Sequence, residues 1–585
     1  MKRFAVVSRA VAVLCCAAGA LFGPPQASAQ PNPDARRLHE LMEQYFEGEL
    51  RLNPVIASSI GDRRYDDRYP VSIGEPHRKL QRAHYRRYLG ALAQLQRGAL
   101  DAPDKLHYDV FERMLARRIR GLAFDSHLQP VTQLAGAPVE FPLLGSGRGL
   151  HPFRSVADYD NFLKRIDGFQ EWVETAIANM RRGMDLGIVQ PGVVMQRALP
   201  QLEAMLVDDP ARSPFYQPLR LLPDHVPGPE RERLAGAYAK AITGQIVPAY
   251  RKLRDFIRDE YLPRARTGVG LSEVPNGEAW YRYLVRLQTT TELAPDEIFQ
   301  LGQDEIARIR KEMARMREQS GVHGAPAVYR SREDLLEAYE AIRTIVTPQL
   351  PRLFGRLPKA PYEIRAIEPF RENASPSQYR AATPDGSRPG VFYVNAAGIE
   401  THARPASESL FLHEAVPGHH LQLSIQRERE DLPRLRRFGA YPAFVEGWAL
   451  YAESLGAELG LYTEPRQIYG RLGSELFRAV RLVVDVGLHH KGWSRERALQ
   501  FMMDTAGSSE SDAALEIDRY IANPAQALAY KVGQLRISAL RARAEAVLGA
   551  KFDLRAFHDE LLKDGALPLD LLEAKMDAWL ARAPR

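Results

Sequence analysis

Leu410-Phe411-Leu412-His413-Glu414-Ala415-Val416-Pro417-Gly418-His419-His420 puts three histidines, a glutamate and a Pro-Gly breaker into one helical stretch. Its apolar lead-in drives the polar cluster towards the interior, where unpaired His and Glu are costly. Metal ligation removes that cost. A catalytic zinc needs three protein ligands, an open position for water and a nearby base. The common helical solution is two histidines four apart with a glutamate beside the first, but here Pro417 holds the fourth place. At about 100° per residue, the six-residue step from His413 to His419 lands about 120° round a straight helix, while the seven-residue step to His420 returns to the same face. Spacing on a straight helix therefore favours His420. Yet Pro417 cannot donate to the carbonyl of His413, and Gly418 loosens the next turn. A break there swings His419 within reach of the same metal, so both histidines stay open as the second ligand.

A third ligand is expected on a following helix. Glu446 offers one in Val445-Glu446-Gly447-Trp448-Ala449-Leu450-Tyr451-Ala452-Glu453, where Gly447 permits close backbone approach and Leu450 and Glu453 share the face of Glu446. Glu453 is then placed to hold a ligand histidine in the required tautomer without binding metal itself. Each feature alone has a plainer explanation, since a His-Glu pair is ordinarily a polar helix face and Gly-His-His a helix cap. Their combination behind an apolar lead-in points to a metal site.

On either side of this segment the helical period dominates. Apolar residues recur every third or fourth place over 36–52, 77–95, 155–182, 229–261, 295–317 and 331–353, with Pro and Gly clusters between. One region departs from it. Tyr362-Glu363-Ile364-Arg365-Ala366-Ile367 alternates with period two, Val391-Phe392-Tyr393-Val394-Asn395 is rich in strand formers, and turn residues fill 384–390. The expectation is a mainly α fold, a two-lobed helical body around a cleft with a small antiparallel β-sheet beside it. No Ser/Gly-rich linker divides the chain, so 30–585 is read as one large helical catalytic unit whose metal-site half spans about 360–585.

Residues 1–29 have the form of a secretory signal peptide: Lys2, Arg3 and Arg9, an apolar run from Ala10 to Phe22, then Ala27-Ser28-Ala29 before Gln30. The run is too short to span a bilayer, for which about 20 residues are needed. Leu14 and Cys15 are poor neighbours for an acylated cysteine, so cleavage near Ala29-Gln30 and a periplasmic or secreted protein are expected. Both cysteines fall in this leader, leaving His, Asp and Glu as the metal ligands of the mature chain. Of the formal charge of +6, the leader carries three. Acids and bases are interspersed elsewhere, which excludes the concentrated basic face of a nucleic-acid binder. No other segment is apolar enough for stable membrane insertion after cleavage. Oligomeric state is not legible.

His413-Glu414-x-x-Pro417-Gly418-His419 and Glu446-Gly447-Trp448-Ala449-x-Tyr451 resemble the bacterial family catalogued as domain of unknown function 885, related to gluzincin-like helical zinc metallopeptidases. Gly386-Ser387-Arg388-Pro389-Gly390, Arg478-Ala479-x-Arg481-Leu482-Val483-Val484-Asp485, Gly487-Leu488-His489 and Pro524-Ala525-Gln526-Ala527-Leu528-Ala529-Tyr530-Lys531 fit the same pattern, except that glycine is expected at Ala525. The likeness spans most of the C-terminal half. It implies a metallopeptidase-like cleft between helical lobes, peptide substrates, and one Zn2+ per chain on His413, His419 and Glu446, with His420 the alternative ligand. Glu414 is then the general base. A donor to the developing oxyanion is also needed; Tyr530 is the first candidate, with His489, Arg519 and Tyr520 behind it. The strand containing Phe392, Tyr393 and Asn395 offers backbone pairing to an extended peptide, which suits an endo-acting oligopeptidase. Arg388 offers a fork to a terminal carboxylate, which suits a carboxypeptidase. A zinc hydrolase of another acyl bond would present the same residues, and a helical binding protein without turnover is the alternative of another class.

Overall fold

The computed structural model describes residues 32–147, 149–320, 329–367, 372, 376–386, 388–397, 399 and 407–582. The expected leader and its cleavage point lie outside them. The helical periods become helices with ordinary local causes. In α1 (Pro33–Leu52), the Asn32 side chain caps the first turn, Pro33 needs no donor there, and Leu38, Leu41, Met42, Tyr45 and Phe46 form the buried face. The long helix α2 (Val156–Leu186) opens on a Ser155/Asp158 capping box and closes on Gly187 at φ 70°. Helix α3 (Pro295–Ser320) lies along a central helix, described below, in one of the two most extensive helix contacts of the chain.

The sheet has three strands, β1 (Tyr362–Ala366), β2 (Gln378–Arg380) and β3 (Gly390–Val394), in the order β1-β3-β2. It is mixed rather than antiparallel: β3 pairs parallel with β1 and antiparallel with β2. The turn residues of 384–390 do reverse the chain, but between β2 and β3. The three residues of β2 are too few for an alternation to show in sequence, and the chain between β1 and β3 is long enough for the crossover that parallel strands need.

Beyond the sheet come α4 (Glu408–Glu414), α5 (His419–Arg427), α6 (Pro442–Glu453), α7 (Pro465–His489), α8 (Glu510–Ala522) and α9 (Leu528–Leu548). Two large apolar cores support the two-lobed body. One gathers Phe392, Phe411, Leu412, Trp448 and Leu482, the other Phe162, Phe169, Tyr250, Val480 and Val483. Helix α7, the partner of α3, contributes to both cores and is the wall between them. Among the described residues no helix is long and apolar enough to cross a membrane.

Candidate metal centre

The break expected at Pro417-Gly418 is present and shapes the site. Helix α4 ends at Glu414, Ala415 takes φ −95° and ψ −113°, and α5 begins at His419 after a cis Val416-Pro417 bond. Gly418 presses on the end of α4, where a Cβ would lie 2.0 Å from the carbonyl oxygen of His413. The indole N–H of Trp448 donates to the carbonyl of Pro417 at 2.9 Å. Helix α6 thus pins the break with Trp448 and supplies Glu446 from the adjoining turn.

The break brings His413, His419 and Glu446 together, with one ligand atom from each lying within 4.8 Å of the others. Glu446 Oε2 is 3.5 Å from His413 Nε2 and 3.3 Å from His419 Nε2, and it has no hydrogen-bond partner. A tetrahedral zinc bound at about 2.0–2.1 Å holds neighbouring ligand atoms about 3.4 Å apart, so the donor set fits such an ion. His420 is turned elsewhere. Its Nδ1 accepts from the Tyr379 hydroxyl at 2.8 Å, it bonds the backbone of Ala360, and its ring lies 4.4 Å from that of Tyr362.

The charges around the triad are strongly coupled. His413 Nδ1 donates to Glu453 Oε1 at 2.9 Å, which leaves Nε2 directed at the centre. Ser474 donates to the other Glu453 oxygen at 2.7 Å, and Arg478 stands 3.6 Å from the first. Burial opposes charge on His413, but the neighbouring carboxylates of Glu446 and Glu453 outweigh burial and hold it up at about 9. Glu446 is likewise pushed up by burial and pulled further down by His419 and His413, so its carboxylate stays ionised. Glu414, 7% exposed, is shifted the other way: burial raises it more than His413 and His419 lower it. A buried carboxyl with raised pKa beside such a cluster has the properties of a general base.

The oxyanion-donor candidates divide. Tyr530 lies at the centre, its ring stacked 6.0 Å from that of His413 at 15°, with its hydroxyl held only by a long 3.4 Å bond from Gln526. Arg481 also packs on this ring, 4.6 Å from the centroid. Tyr520 donates to Glu516 at 2.6 Å and accepts from Arg481 at 2.9 Å, while Arg519 forks onto Glu516 and Gln526. Tyr520 and Arg519 are thus bonded to Arg481 and Gln526, the two side chains that touch Tyr530. His489 is a core cross-link: Nδ1 accepts from the Leu271 amide and Nε2 donates to the Tyr520 carbonyl, so no ring nitrogen remains for a substrate. The sequence marked it only as a polar residue in a motif, and a satisfied core histidine looks the same there.

The substrate-strand reading is corrected. β3 is the central strand, so its backbone has no open edge for a peptide. Phe392 is fully buried in the core, and Tyr393 is 3% exposed on the opposite face beneath Arg380. Asn395 is spent on Ser377, Glu372 and Ala397. Arg388 donates to the carbonyl of Ser59 at 3.1 Å and lines a cavity with Arg365 and Arg380 rather than joining the triad. Ser474, Arg478 and the indole of Trp448 are the supporting groups that spacing did not assign. Two of them lay in quoted motifs, but their partners are visible only in three dimensions.

The sequence profile of the family described as "Bacterial protein of unknown function (DUF885)" matches residues 54–576. A protein from Colwellia psychrerythraea, provisionally described as a lipoprotein, has a solved structure 28% identical to this chain, with a TM-score of 0.86 over 94% of this chain and 100% of its own. Another, provisionally described as a lipoprotein of unknown function from Shewanella oneidensis, is 18% identical, with a TM-score of 0.66 over 92% of this chain and 99% of its own. An M32 carboxypeptidase from Deinococcus radiodurans R1 aligns at 12% identity and a TM-score of 0.33, too slight a likeness to bear on function. No curated protein matches the chain at a significant level.

Proposed function

We propose, for a chain that belongs to the DUF885 family of bacterial proteins, that the centre is that of an exported zinc-dependent peptidase. The observation that carries it is the convergence of His413, His419 and Glu446 around a point that Glu446 Oε2 faces without a hydrogen-bond partner. His413, His419 and Glu446 would hold the zinc, which when bound would supply a Lewis acid and a water activated near neutral pH. Glu414 takes the proton of the attacking water and passes it to the leaving amine. Tyr530 donates to the oxygen on which negative charge develops. Glu453 keeps the His413 ring in the tautomer that presents Nε2. Export rests on the form of residues 1–29.

The test is a mixed peptide library incubated with the purified mature protein and its Glu414→Gln variant, with zinc measured on both. The expected result is cleavage by the wild type and roughly 10²–10⁴-fold slower turnover by the variant, whose zinc content is unchanged. Cleavage confined to esters or cell-wall amides would overturn the peptide assignment while leaving the metal centre standing.

A further inference from the structure

We infer that the outward face of the helix Glu75–Leu92 docks on the surface of an anionic phospholipid bilayer. The interspersion of acids and bases gives way here: residues 76–100 hold six Lys and Arg and no Asp or Glu. The helix turns Arg78, Tyr85, Tyr88 and Leu92 inwards, with Tyr85 and Tyr88 against Tyr45 of α1. At about 100° per residue, Lys79, Ala83, Arg86, Arg87 and Gly90 fall on the opposite side, and all five are exposed. Leu80 lies at the edge of that face and is 60% exposed.

The cations of this face are not spent within the protein. Among the described residues, no ion pair or hydrogen bond reaches Lys79 or Arg86. Arg87 has no acid partner, its guanidinium lying 5.4 Å from the centre of the Tyr88 ring. Glu75, the acid that begins the helix, stands 3.9 Å from Arg78 and 4.0 Å from Arg82. Most acids of the two helices packed against this one are turned to other bases. On α1, Glu43 and Glu47 pair with Arg434, and Glu49 with Arg118. On the helix Ala102–Gly121, Asp104 pairs with His39 and Asp109 with Arg97, while Glu112 makes no ion pair with this face.

The occupant follows from shape and charge. Ala83 and Gly90 along the middle of the face let the helix lie close to a flat surface, over a length of about 27 Å. The longer Lys79, Arg86 and Arg87 reach to that surface from either side. A layer of lipid headgroups supplies dense negative charge for them, and the boundary beneath it takes up apolar side chains, so Leu80 gains as well. Lys and Arg also lay their methylene stems along such a boundary. A dissolved polyanion would draw the same cations and leave Leu80 without a partner. Tyr85, Tyr88 and Leu92 stay in the core, so the contact is peripheral and needs no spanning segment. It does not draw on the metal centre.

Flotation of the mature protein, without residues 1–29, tests the inference on vesicles of phosphatidylcholine alone or with about 30% phosphatidylglycerol. Binding is expected to the anionic vesicles only, and it should fade as salt rises from about 0.05 to 0.5 M. Each cation near an anionic surface is worth about fivefold, so Lys79→Gln combined with Arg86→Gln should weaken binding about thirtyfold. Leu80→Ser should weaken it about threefold or more and leave the salt dependence as it was. Lys240→Gln combined with Arg251→Gln, which removes the same charge from other exposed positions, should leave binding unchanged. Equal binding to neutral vesicles, or equal weakening by the two double variants, overturns the docking face. Binding to duplex DNA as tight as to the vesicles, with Leu80→Ser without effect on either, overturns the lipid assignment.

Discussion

Glu446 Oε2 stands 3.5 and 3.3 Å from two imidazole nitrogens with no proton bridging it well, and that separation suits a cation better than a hydrogen bond. The neighbours of Glu446 are arranged for the same end. Glu453 holds His413 through Nδ1 and is itself held by Ser474 and Arg478. Glu453→Gln keeps the size of the side chain but weakens its pull on Nδ1–H, so zinc affinity should fall about 10–100-fold. Competition with a chelator measures it; unchanged affinity would mean that Glu453 plays no part in orienting the ligand. At this scale the sequence disclosed residue types but not directions. A straight-helix count favoured His420, and only the broken backbone shows His419 facing Glu446 while His420 faces Tyr379. Family resemblance pointed to His419 because it carries the break implicitly.

Helix α6 does three jobs within a few residues: Glu446 faces the centre, Trp448 pins Pro417, and Gly447 lets α9 approach. A Cβ on Gly447 would meet Gly533 backbone atoms at 2.5 Å, and those atoms have nowhere to move. Gly447→Ala should therefore cost about 1–3 kcal/mol and displace Glu446, lowering the urea midpoint and the zinc content together. Loss of neither would show that the helices can part without disturbing the site. Element existence was legible because period-3.6 patterns span many residues, as in α1 and α2. Strand pairing was not, since alternation marks a strand but carries no direction, and β2 is too short to register. Position 525 joins both levels. Glycine was expected there, and Ala525 adopts φ 68°, the left-handed conformation that glycine accepts more easily, with its amide held by Asp485 at 3.0 Å.

At the scale of the molecule, the two cores share α7, and the interior holds titratable groups outside the triad. His107, His151, His489 and His558 are at most 6% exposed, and burial above all lowers each to about 3. The folded state therefore holds them neutral, whereas the unfolded chain protonates them near pH 6.5. Their contribution to stability is complete above that pH and is lost as pH falls towards 3. Asp485, raised by burial to about 7, works oppositely, since its folded form keeps a proton that the unfolded chain releases above about 4. Between pH 6.5 and 5.5 the histidines lose about 1 kcal/mol each and Asp485 returns about 1, for a net loss of about 3 kcal/mol. Urea unfolding at the two pH values checks this, and an unchanged midpoint would contradict it. The metal centre itself is tested most directly by zinc stoichiometry on purified wild type, His419→Ala and His420→Ala after dialysis. The prediction is one zinc per chain in the wild type and in His420→Ala, and none retained by His419→Ala. Zinc kept by His419→Ala and lost from His420→Ala, or no zinc in the wild type, would contradict it.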